Sequence, residues 1–188
     1  MYDICIRTAA AGGDATGTYA DDSILPDIFA GPYAELEPGL AFVVDGGEGA
    51  VGYIVGAADT AAFAERFRTE WLPRLGDRHP EAADPPVTPT DLMTKVLRHP
   101  ERMVLPELAE YPAHLHIDLL PSHQRAGYGR ELMWRLLGEL SGRGVKAVHL
   151  GMLTANTPAR AFYDRLGFHE IPVPGAGELT YLGRSTTV

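Results

Sequence analysis

The stretch from Leu115 to Leu137 reads L-H-I-D-L-L-P-S-H-Q-R-A-G-Y-G-R-E-L-M-W-R-L-L, and the fold depends on it. Leu115, Ile117 and Leu119 alternate with polar residues, a pattern typical of a half-buried strand. Pro121 cannot donate to a sheet ladder, so we expect the strand to end before it. Beyond a short turn, apolar residues recur at helical spacing: Leu132, Met133, Leu136, Leu137 and Leu140. The stretch therefore predicts a strand, a glycine-bearing turn and an amphipathic helix.

The turn itself, Q-R-A-G-Y-G at residues 124–129, has the features of an anion site. A helix that begins directly on a turn has unpaired backbone N–H groups and a partial positive charge there. Gly127 and Gly129 lack a Cβ atom, so we expect an anion to approach their backbone closely. Arg125 and Arg130 add positive charge. These features suit a pyrophosphate, although an ordinary strand–turn–helix would have the same pattern.

Two other phosphate-binding motifs do not match this turn. A P-loop requires G-x-x-x-x-G-K-[ST], and the sequence has no such string. A dinucleotide fingerprint G-x-G-x-x-G that starts at Gly127 would need glycine at the position of Leu132. The acidic residue expected about 20 residues further on is also missing from Lys146–Met152.

A second pattern follows downstream. Val145–Met152 predicts another strand, and residues 156–168 then read N-T-P-A-R-A-F-Y-D-R-L-G-F. This arrangement resembles the two cofactor motifs of the GNAT superfamily of N-acetyltransferases. The first motif is a strand ending in L-L-P followed by Q-x-x-G-x-G, and the second is N-x-x-A-x-x-F-Y-x-x-x-G-F. Two motifs in the right order are more specific than either alone, and together they cover residues 113–171.

The resemblance implies a single domain over residues 1–188 with the α/β GNAT fold, a mixed, mostly antiparallel twisted sheet with helices on both faces. It implies acetyl-CoA as cofactor, no metal, and direct attack by an amine without an acyl-enzyme. The backbone of Leu119 and Leu120 would pair with the pantetheine and supply an N–H to the thioester carbonyl. Asn156 would contact the pantetheine amide, and Tyr163 would protonate the departing thiolate. The implied cofactor-binding residues are Leu119, Leu120, Gln124, Arg125, Ala126, Gly127, Tyr128, Gly129, Arg130, Asn156, Ala159 and Tyr163.

The general base stays open between two residues of the same strand. His114, His116 and Asp118 alternate, so their side chains should all point to one side of the sheet. Histidine is the natural base near neutral pH, and a carboxylate with a pKa raised by burial could act through water. His116 and Asp118 are the candidates, whereas His114 is expected to be exposed near the strand start. A purely structural role for Asp118 is the alternative.

The middle of the chain narrows the resemblance. Gly52–Thr60 (G-Y-I-V-G-A-A-D-T), Trp71-Leu72-Pro73 and His116–Pro121 are similar to the acetyltransferase-like domain at the C-terminal end of animal O-GlcNAc hydrolases, and to its stand-alone bacterial relatives. The animal domain is regarded as a pseudo-acetyltransferase with a degraded cofactor turn. The glutamine and both glycines of the turn are present here, so the loss of the cofactor turn does not extend to this chain.

The resemblance predicts an acetyltransferase whose acceptor is a primary amine, either a protein or peptide lysine or a small amine. One alternative is a catalytically weak or inactive acyl-CoA-binding or interaction domain that kept the turn. Another is an acyltransferase that uses a longer acyl-CoA or a hydroxyl acceptor.

The composition fits this reading. Of 188 residues, 45% are hydrophobic and 22% charged, as in soluble globular proteins, and the net charge of -9 favours a neutral or cationic acceptor. Without a basic patch, nucleic acids are poor candidates as partners. No apolar run reaches the roughly 18 residues of a membrane span, and no secretory signal is evident. Cys5 stands in an apolar run and is interpreted as a core residue. We expect a cytoplasmic monomer or homodimer.

The remaining segments have less specific patterns. Strands are predicted at residues 2–8, Leu40–Asp45, Ala50–Gly56, Gly167–Ile171 and Leu179–Leu182. Helices are predicted at Tyr19–Phe29, residues 60–75 and Thr90–Leu97. The helix at 60–75 has a stripe expected in the core: Phe63, Phe67, Trp71 and Leu75. Asp59 and Thr90 are expected to cap the last two helices, with amine binding the alternative for Asp59. Tyr53 and Trp71 are candidate pocket walls in a region, 60–112, where we look for acceptor specificity.

Overall fold

A computed structural model describes residues 1–187 of the chain. Its strands are β1 (Ala41–Asp45), β2 (Ala50–Ala57), β3 (Ala113–Leu119), β4 (Ala147–Leu153), β5 (His169–Ile171) and β6 (Leu179–Ser185). Its α-helices are α1 (Tyr2–Ile6), α2 (Ile24–Phe29), α3 (Gly31–Leu36), α4 (Thr60–Arg66), α5 (Leu72–Leu75), α6 (Pro89–Arg98), α7 (Tyr128–Gly142) and α8 (Thr157–Arg165). A π-helical segment, Phe67–Trp71, joins α4 to α5.

The six strands form one sheet in the order β1-β2-β3-β4-β6-β5, and of its neighbouring pairs β3–β4 runs parallel. These two strands pair only through Ala113 with Val148 and His114 with His149, near their N-terminal ends. Beyond His114 and His149 the ladder stops, so the strands part toward their C-terminal ends and leave a gap in the sheet. The predicted mixed, mostly antiparallel sheet is confirmed.

Different parts of the chain cover the two faces of this sheet. On one face, α7 buries the stripe of apolar residues that the sequence pattern predicted: Leu132, Met133, Leu136, Leu137 and Leu140. The N-terminal helices and α4 to α6 cover the other face, against Tyr53 and Val55 of β2. Each fully buried leucine contributes roughly 1.5–3 kcal/mol. The stripe therefore anchors α7, and with it the turn that precedes the helix.

The predicted strand at residues 2–8 is wrong, because the structure has helix α1 there. Ile4 and Cys5 are buried in the core, and the hydroxyl of Thr8 donates to the carbonyl of Ile4 at 2.7 Å. A short apolar run does not separate helix from strand by periodicity alone, and packing of the run against α2 decided the outcome. The core position of Cys5 is confirmed, and burial raises the pKa of its thiol to about 12.

Two helix boundaries also differ from the prediction. The helix expected at Tyr19–Phe29 begins only at Ile24 in α2, and a separate helix, α3, follows it. Helix α6 is capped by Thr88, whose hydroxyl accepts from the N–H of Asp91 at 3.1 Å, rather than by Thr90. The hydroxyl of Thr90 instead accepts from the N–H of Ala20. Thr90 therefore links α6 to the distant segment that contains Ala20.

The other predicted elements are confirmed. The hairpin forms β1 and β2, and the last two strands form β5 and β6. The helical stripe at 60–75 is buried as expected: Phe63, Phe67, Trp71 and Leu75. None of the helices in the described part of the chain combines the length and the apolar character that crossing a bilayer requires.

Candidate functional site

The turn before α7 has an unusual backbone. Arg125 has φ +61 and Gly127 has φ +94, and between them Ala126 keeps an ordinary φ. Alternation of left-handed and ordinary backbone turns successive N–H groups toward one concave side. Within residues 1–187, the N–H groups of residues 125–129 have no hydrogen-bond acceptor. The turn therefore presents a row of unpaired donors at a helix N-terminus, which is the arrangement that binds a phosphate.

The two glycines of the turn are needed for different reasons. A Cβ atom on Gly127 would meet no atom within 4 Å, so glycine is favoured there by its positive φ. A Cβ atom on Gly129 would lie 3.2 Å from both Leu119 and Phe162. Packing is thus a reason for glycine at position 129 in addition to the anion approach that we expected at both glycines. Gly129 lets α7 pack closely against β3 and α8.

Side-chain and backbone contacts hold the turn in place. The side-chain amide of Gln124 donates to the carbonyl of Leu119 at 3.0 Å, which ties the turn to the end of β3. The N–H of His123 donates to the carbonyl of Leu120 at 2.8 Å, in a short 3₁₀ segment that begins at Pro121. The side chains of Arg125, Tyr128 and Arg130, by contrast, are exposed beside the open donors.

Backbone groups of β3 also face the gap between β3 and β4. The N–H of Leu120 donates to the carbonyl of Val51 at 2.9 Å, so it points toward β2. Because polar groups alternate along an antiparallel pair, those of Leu119 and Ile117 point the other way, toward the gap. The prediction that Leu120 supplies an N–H to a cofactor is therefore corrected. Leu119 has its N–H on the side of the gap, and so does Ile117, which the motif did not indicate.

Helix α8 borders the same gap. Asn156 is its N-cap, and its side-chain oxygen accepts from the N–H of Ala159 at 3.2 Å. The oxygen of Asn156 and the N–H of Ala159 thus satisfy each other. The amide NH₂ of Asn156 has no partner in residues 1–187, so both of its donors stay open.

Tyr163 is buried on α8, with its ring centroid 5.2 Å from that of Phe162 and 5.5 Å from that of Phe168. Its hydroxyl has no partner within the described residues, yet it is not enclosed. Burial raises the pKa of Tyr163 above its ordinary value near 10, and the charge of Asp118 raises it further. The hydroxyl is therefore protonated at neutral pH and available as an acid.

His114 is buried, at 5% exposure, so the expectation that it is exposed is wrong. The hydroxyl of Tyr33 on α3 lies 2.8 Å from its Nε2, and that of Thr60 on α4 lies 2.8 Å from its Nδ1. The ring of Phe63 covers it at 5.4 Å. Helices that the sequence pattern could not place over β3 produce this burial.

The two candidate bases, His116 and Asp118, are partly exposed on the same face of β3. Burial, Arg102 and His149 lower the pKa of His116 to about 4, so its ring is neutral at pH 7. Burial raises the pKa of Asp118, and this outweighs the opposite effect of its hydrogen bond with Tyr53. The Tyr53 hydroxyl donates to Oδ2 at 2.5 Å, and the nearby Thr8 hydroxyl also lowers the pKa of the carboxylate. Oδ1 has no partner within hydrogen-bond distance in residues 1–187. Both residues therefore offer an open acceptor atom.

The candidates for amine binding or pocket walls, Asp59, Trp71 and Tyr53, have structural roles instead. The carboxylate of Asp59 accepts from the N–H of Ala62 at 2.9 Å, so its expected capping role is confirmed. The indole N–H of Trp71 donates to the carbonyl of Asp27 within the core, so Trp71 is not a pocket wall. Tyr53 is fully buried behind Asp118 and supports its carboxylate rather than lining a pocket.

A cavity of about 370 Å³ lies at the opposite end of β3 and β4 from the turn. Asp59, Thr60, Tyr111 and His149 are among its lining residues, with apolar side chains of residues 103–112. It is therefore distinct from the row of open N–H groups. In the part of the chain that the structure describes, no three potential metal ligands come together.

Comparison with known proteins identifies the family. The Acetyltransferase (GNAT) family model matches residues 96–168. The crystal structure of SsHAT is 58% identical, with a TM-score of 0.94, over 99% of this chain and 92% of that one. Protein O-GlcNAcase of Rattus norvegicus is 22% identical over 173 residues, which are 91% of this chain and 19% of the relative. The [Ribosomal protein bS18]-alanine N-acetyltransferase of Escherichia coli (strain K12) is 42% identical over 58 residues, 31% of this chain and 39% of the relative.

The chain thus spans less than half the length of those two curated relatives, but nearly all of SsHAT. The family model covers the segment from α6 through β3, the turn, α7, β4 and α8 to Phe168. This segment contains the open turn, the gap and Tyr163. The chain therefore belongs to the GNAT family of acetyltransferases.

Proposed function

We propose that this chain transfers an acetyl group from acetyl-CoA to a primary amine by direct attack. The observation that carries the proposal is the row of unpaired N–H groups at residues 125–129, set beside a gap in the sheet. A single domain, a cytoplasmic location and a monomeric or homodimeric state are further parts of the proposal.

The residues around the gap fit coenzyme A. Unpaired N–H groups at a helix N-terminus, with Arg125 and Arg130 beside them, match the charge and the acceptor atoms of a pyrophosphate. The backbone of Ile117 and Leu119 and the amide of Asn156 match the donors and acceptors of the two pantetheine amides. When bound, the cofactor would supply an activated thioester.

Two groups of the chain would stabilise charge during acetyl transfer. The N–H of Leu119 would donate to the thioester carbonyl oxygen as negative charge develops on it. One such donor typically contributes about 100- to 1,000-fold in rate. The hydroxyl of Tyr163 would give its proton to the sulfur as the carbon–sulfur bond breaks. Its raised pKa keeps it protonated at neutral pH. Because a thiolate is a weaker base than this phenolate, the phenolate would take a proton back from solvent after the bond breaks.

We propose Asp118 as the base that removes a proton from the attacking amine. Its carboxylate attracts a cationic amine, and burial raises its pKa above the ordinary range. Burial, Arg102 and His149 lower the pKa of His116 to about 4, so its ring binds a proton more weakly than an ordinary histidine. It would accept a hydrogen bond from the amine instead.

The relatives suggest acceptor classes to test. One relative is named for transfer to alanine of ribosomal protein bS18, so a peptide N-terminus joins lysine side chains and small amines as a candidate acceptor. The net charge of -9 favours a neutral or cationic acceptor over an anionic one.

The experiment is a thiol-release assay for free CoA against peptides with N-terminal alanine, lysine peptides, polyamines and aminosugars. Calorimetry with acetyl-CoA runs in parallel. We expect micromolar or tighter binding and release with at least one amine, reduced in Asp118→Asn and Tyr163→Phe at unchanged acetyl-CoA affinity. Binding without release from any amine would contradict transfer and favour a binding-only domain.

A further inference from the structure

Five groups on the α3–α4 side of the sheet form one continuous chain of hydrogen bonds. The hydroxyl of Thr60 lies 2.8 Å from the carbonyl of Pro112 and 2.8 Å from Nδ1 of His114. The hydroxyl of Tyr33 then joins Nε2 of His114, at 2.8 Å, to Nε2 of His116, at 3.0 Å. Thr60, His114 and Tyr33 are all buried. These hydrogen bonds therefore connect the backbone carbonyl of Pro112 to His116, one of the two candidate bases of the site.

Only one assignment of donors and acceptors satisfies all four hydrogen bonds with a neutral His114. A carbonyl only accepts, so the single O–H of Thr60 donates to Pro112, and the Thr60 oxygen accepts from Nδ1–H of His114. A neutral His114 then has a lone pair on Nε2 and accepts from the Tyr33 hydroxyl. Since that hydroxyl proton is used, the Tyr33 oxygen accepts from Nε2–H of His116.

With the Thr60 hydroxyl donating to Pro112, the reverse direction would require a cationic His114. If Tyr33 donated elsewhere, to Met103 sulfur at 4.0 Å for example, both imidazoles would have to donate to its oxygen. His114 would then carry protons on both nitrogens. Burial, together with His149, His116 and Arg102, holds the pKa of His114 well below its usual range. The doubly protonated form is therefore excluded at neutral pH.

We propose that this chain of hydrogen bonds locks His116 in the Nε2–H tautomer, so that Nδ1 presents its lone pair to the acceptor amine. Nδ1 has no partner within residues 1–187 and is not enclosed. Thr60, His114 and Tyr33 are positioning residues for it. The role toward an amine depends on the proposed function, whereas the tautomer itself does not.

Asp118, whose Oδ1 is the other open acceptor, is two residues from His116 on the same face of β3. A primary amine has enough N–H groups to donate to both atoms. As the carbon–nitrogen bond forms, one proton passes to Asp118 while the other N–H stays on His116 Nδ1. The pair therefore favours primary over secondary amines.

The test is the protonation pattern of the histidine rings in the folded, ligand-free chain, read from two-bond ¹⁵N–¹H spectra at pH 7. The wild-type His116 should carry its proton on Nε2 and His114 on Nδ1. Thr60→Val removes the oxygen that accepts from His114, so His114 should move its proton to Nε2. Tyr33 then donates to His116, whose proton should move to Nδ1, although Thr60 does not touch His116.

The matched control is Thr186→Val, which removes another buried hydroxyl that donates to a carbonyl, that of Val145. It should leave both rings unchanged. Tyr33→Phe cuts the chain in the middle and should leave His116 as a mixture of tautomers. In both Thr60→Val and Tyr33→Phe we expect kcat to fall about tenfold, the value of one well-placed hydrogen bond, with acetyl-CoA affinity unchanged.

A proton on Nδ1 of His116 in the wild type, or a Thr60→Val spectrum identical to the wild type, would overturn the tautomer lock. Unchanged turnover in both variants would overturn the positioning role. Since the spectra need no substrate, a wild type that releases no CoA would overturn the proposed function and leave the tautomer result standing.

Discussion

Replacing Gly127 with alanine tests whether the shape of the turn binds the cofactor. Gly127 has φ +94 and open space around its Cβ position, so alanine would strain the backbone without a clash. A left-handed conformation costs an L-residue about 1–2 kcal/mol. For a chain of this size that loss lowers Tm by roughly 2–8 °C. If the turn relaxes to avoid the strain, its N–H groups rotate away from their common side.

A charge-assisted hydrogen bond is worth about 1.5–3 kcal/mol. Loss of even one from the turn should therefore weaken acetyl-CoA binding at least about tenfold. Calorimetric titration measures this Kd, and thermal unfolding without ligand measures the strain.

Gly144→Ala is the matched control for this experiment. Gly144 has φ +79 and equally open surroundings, and it follows the other end of α7. With 15 residues, the helix separates the two sites by about 22 Å. We expect both variants to lose similar stability, but only Gly127→Ala to lose affinity. Equal affinity in Gly127→Ala and the wild type, or an equal loss in both variants, would refute the role of the turn.

Three further predictions concern packing, acid catalysis and pH. Gly129→Ala should lower the unfolding free energy by about 1–3 kcal/mol in urea, because its Cβ would press on Leu119 and Phe162; an unchanged midpoint would contradict this packing role. Tyr163→Phe should lower kcat about 100-fold or more at constant acetyl-CoA affinity, and an unaltered rate would remove it as the acid. Asp118→Asn should lose activity and gain stability at pH 7. The folded pKa of Asp118 is raised above its unfolded value near 3.9, so its charge destabilises the fold at neutral pH, and the gain should fade as pH falls through that folded pKa. A constant difference across pH would contradict it.

The part of the fold predicted from sequence is the part where local pattern and chemistry agree. The strand to Leu119, the turn and α7 each have a distinct signal: alternation, glycines, and a helical stripe. The second motif placed α8 beside them and Tyr163 near the gap. These elements are local, so neighbouring residues specify them.

The misplaced features depend on contacts between distant segments. Residues 2–6 form a helix because they pack on α2, and His114 is buried because α3 and α4 lie over β3. Nothing around Tyr33 indicated that its hydroxyl would join two histidines more than 80 residues away. The same holds for Leu120, whose N–H direction follows from the register with β2.

The most direct test of the account is a titration of the ¹⁵N-labelled chain with coenzyme A, followed through the backbone amide resonances. We predict large saturable shifts for the amides of residues 125–129 at the start of α7, with little change at Gly142–Gly144 at its end. Amides of residues 125–129 that do not move, while coenzyme A binds elsewhere or not at all, would contradict it.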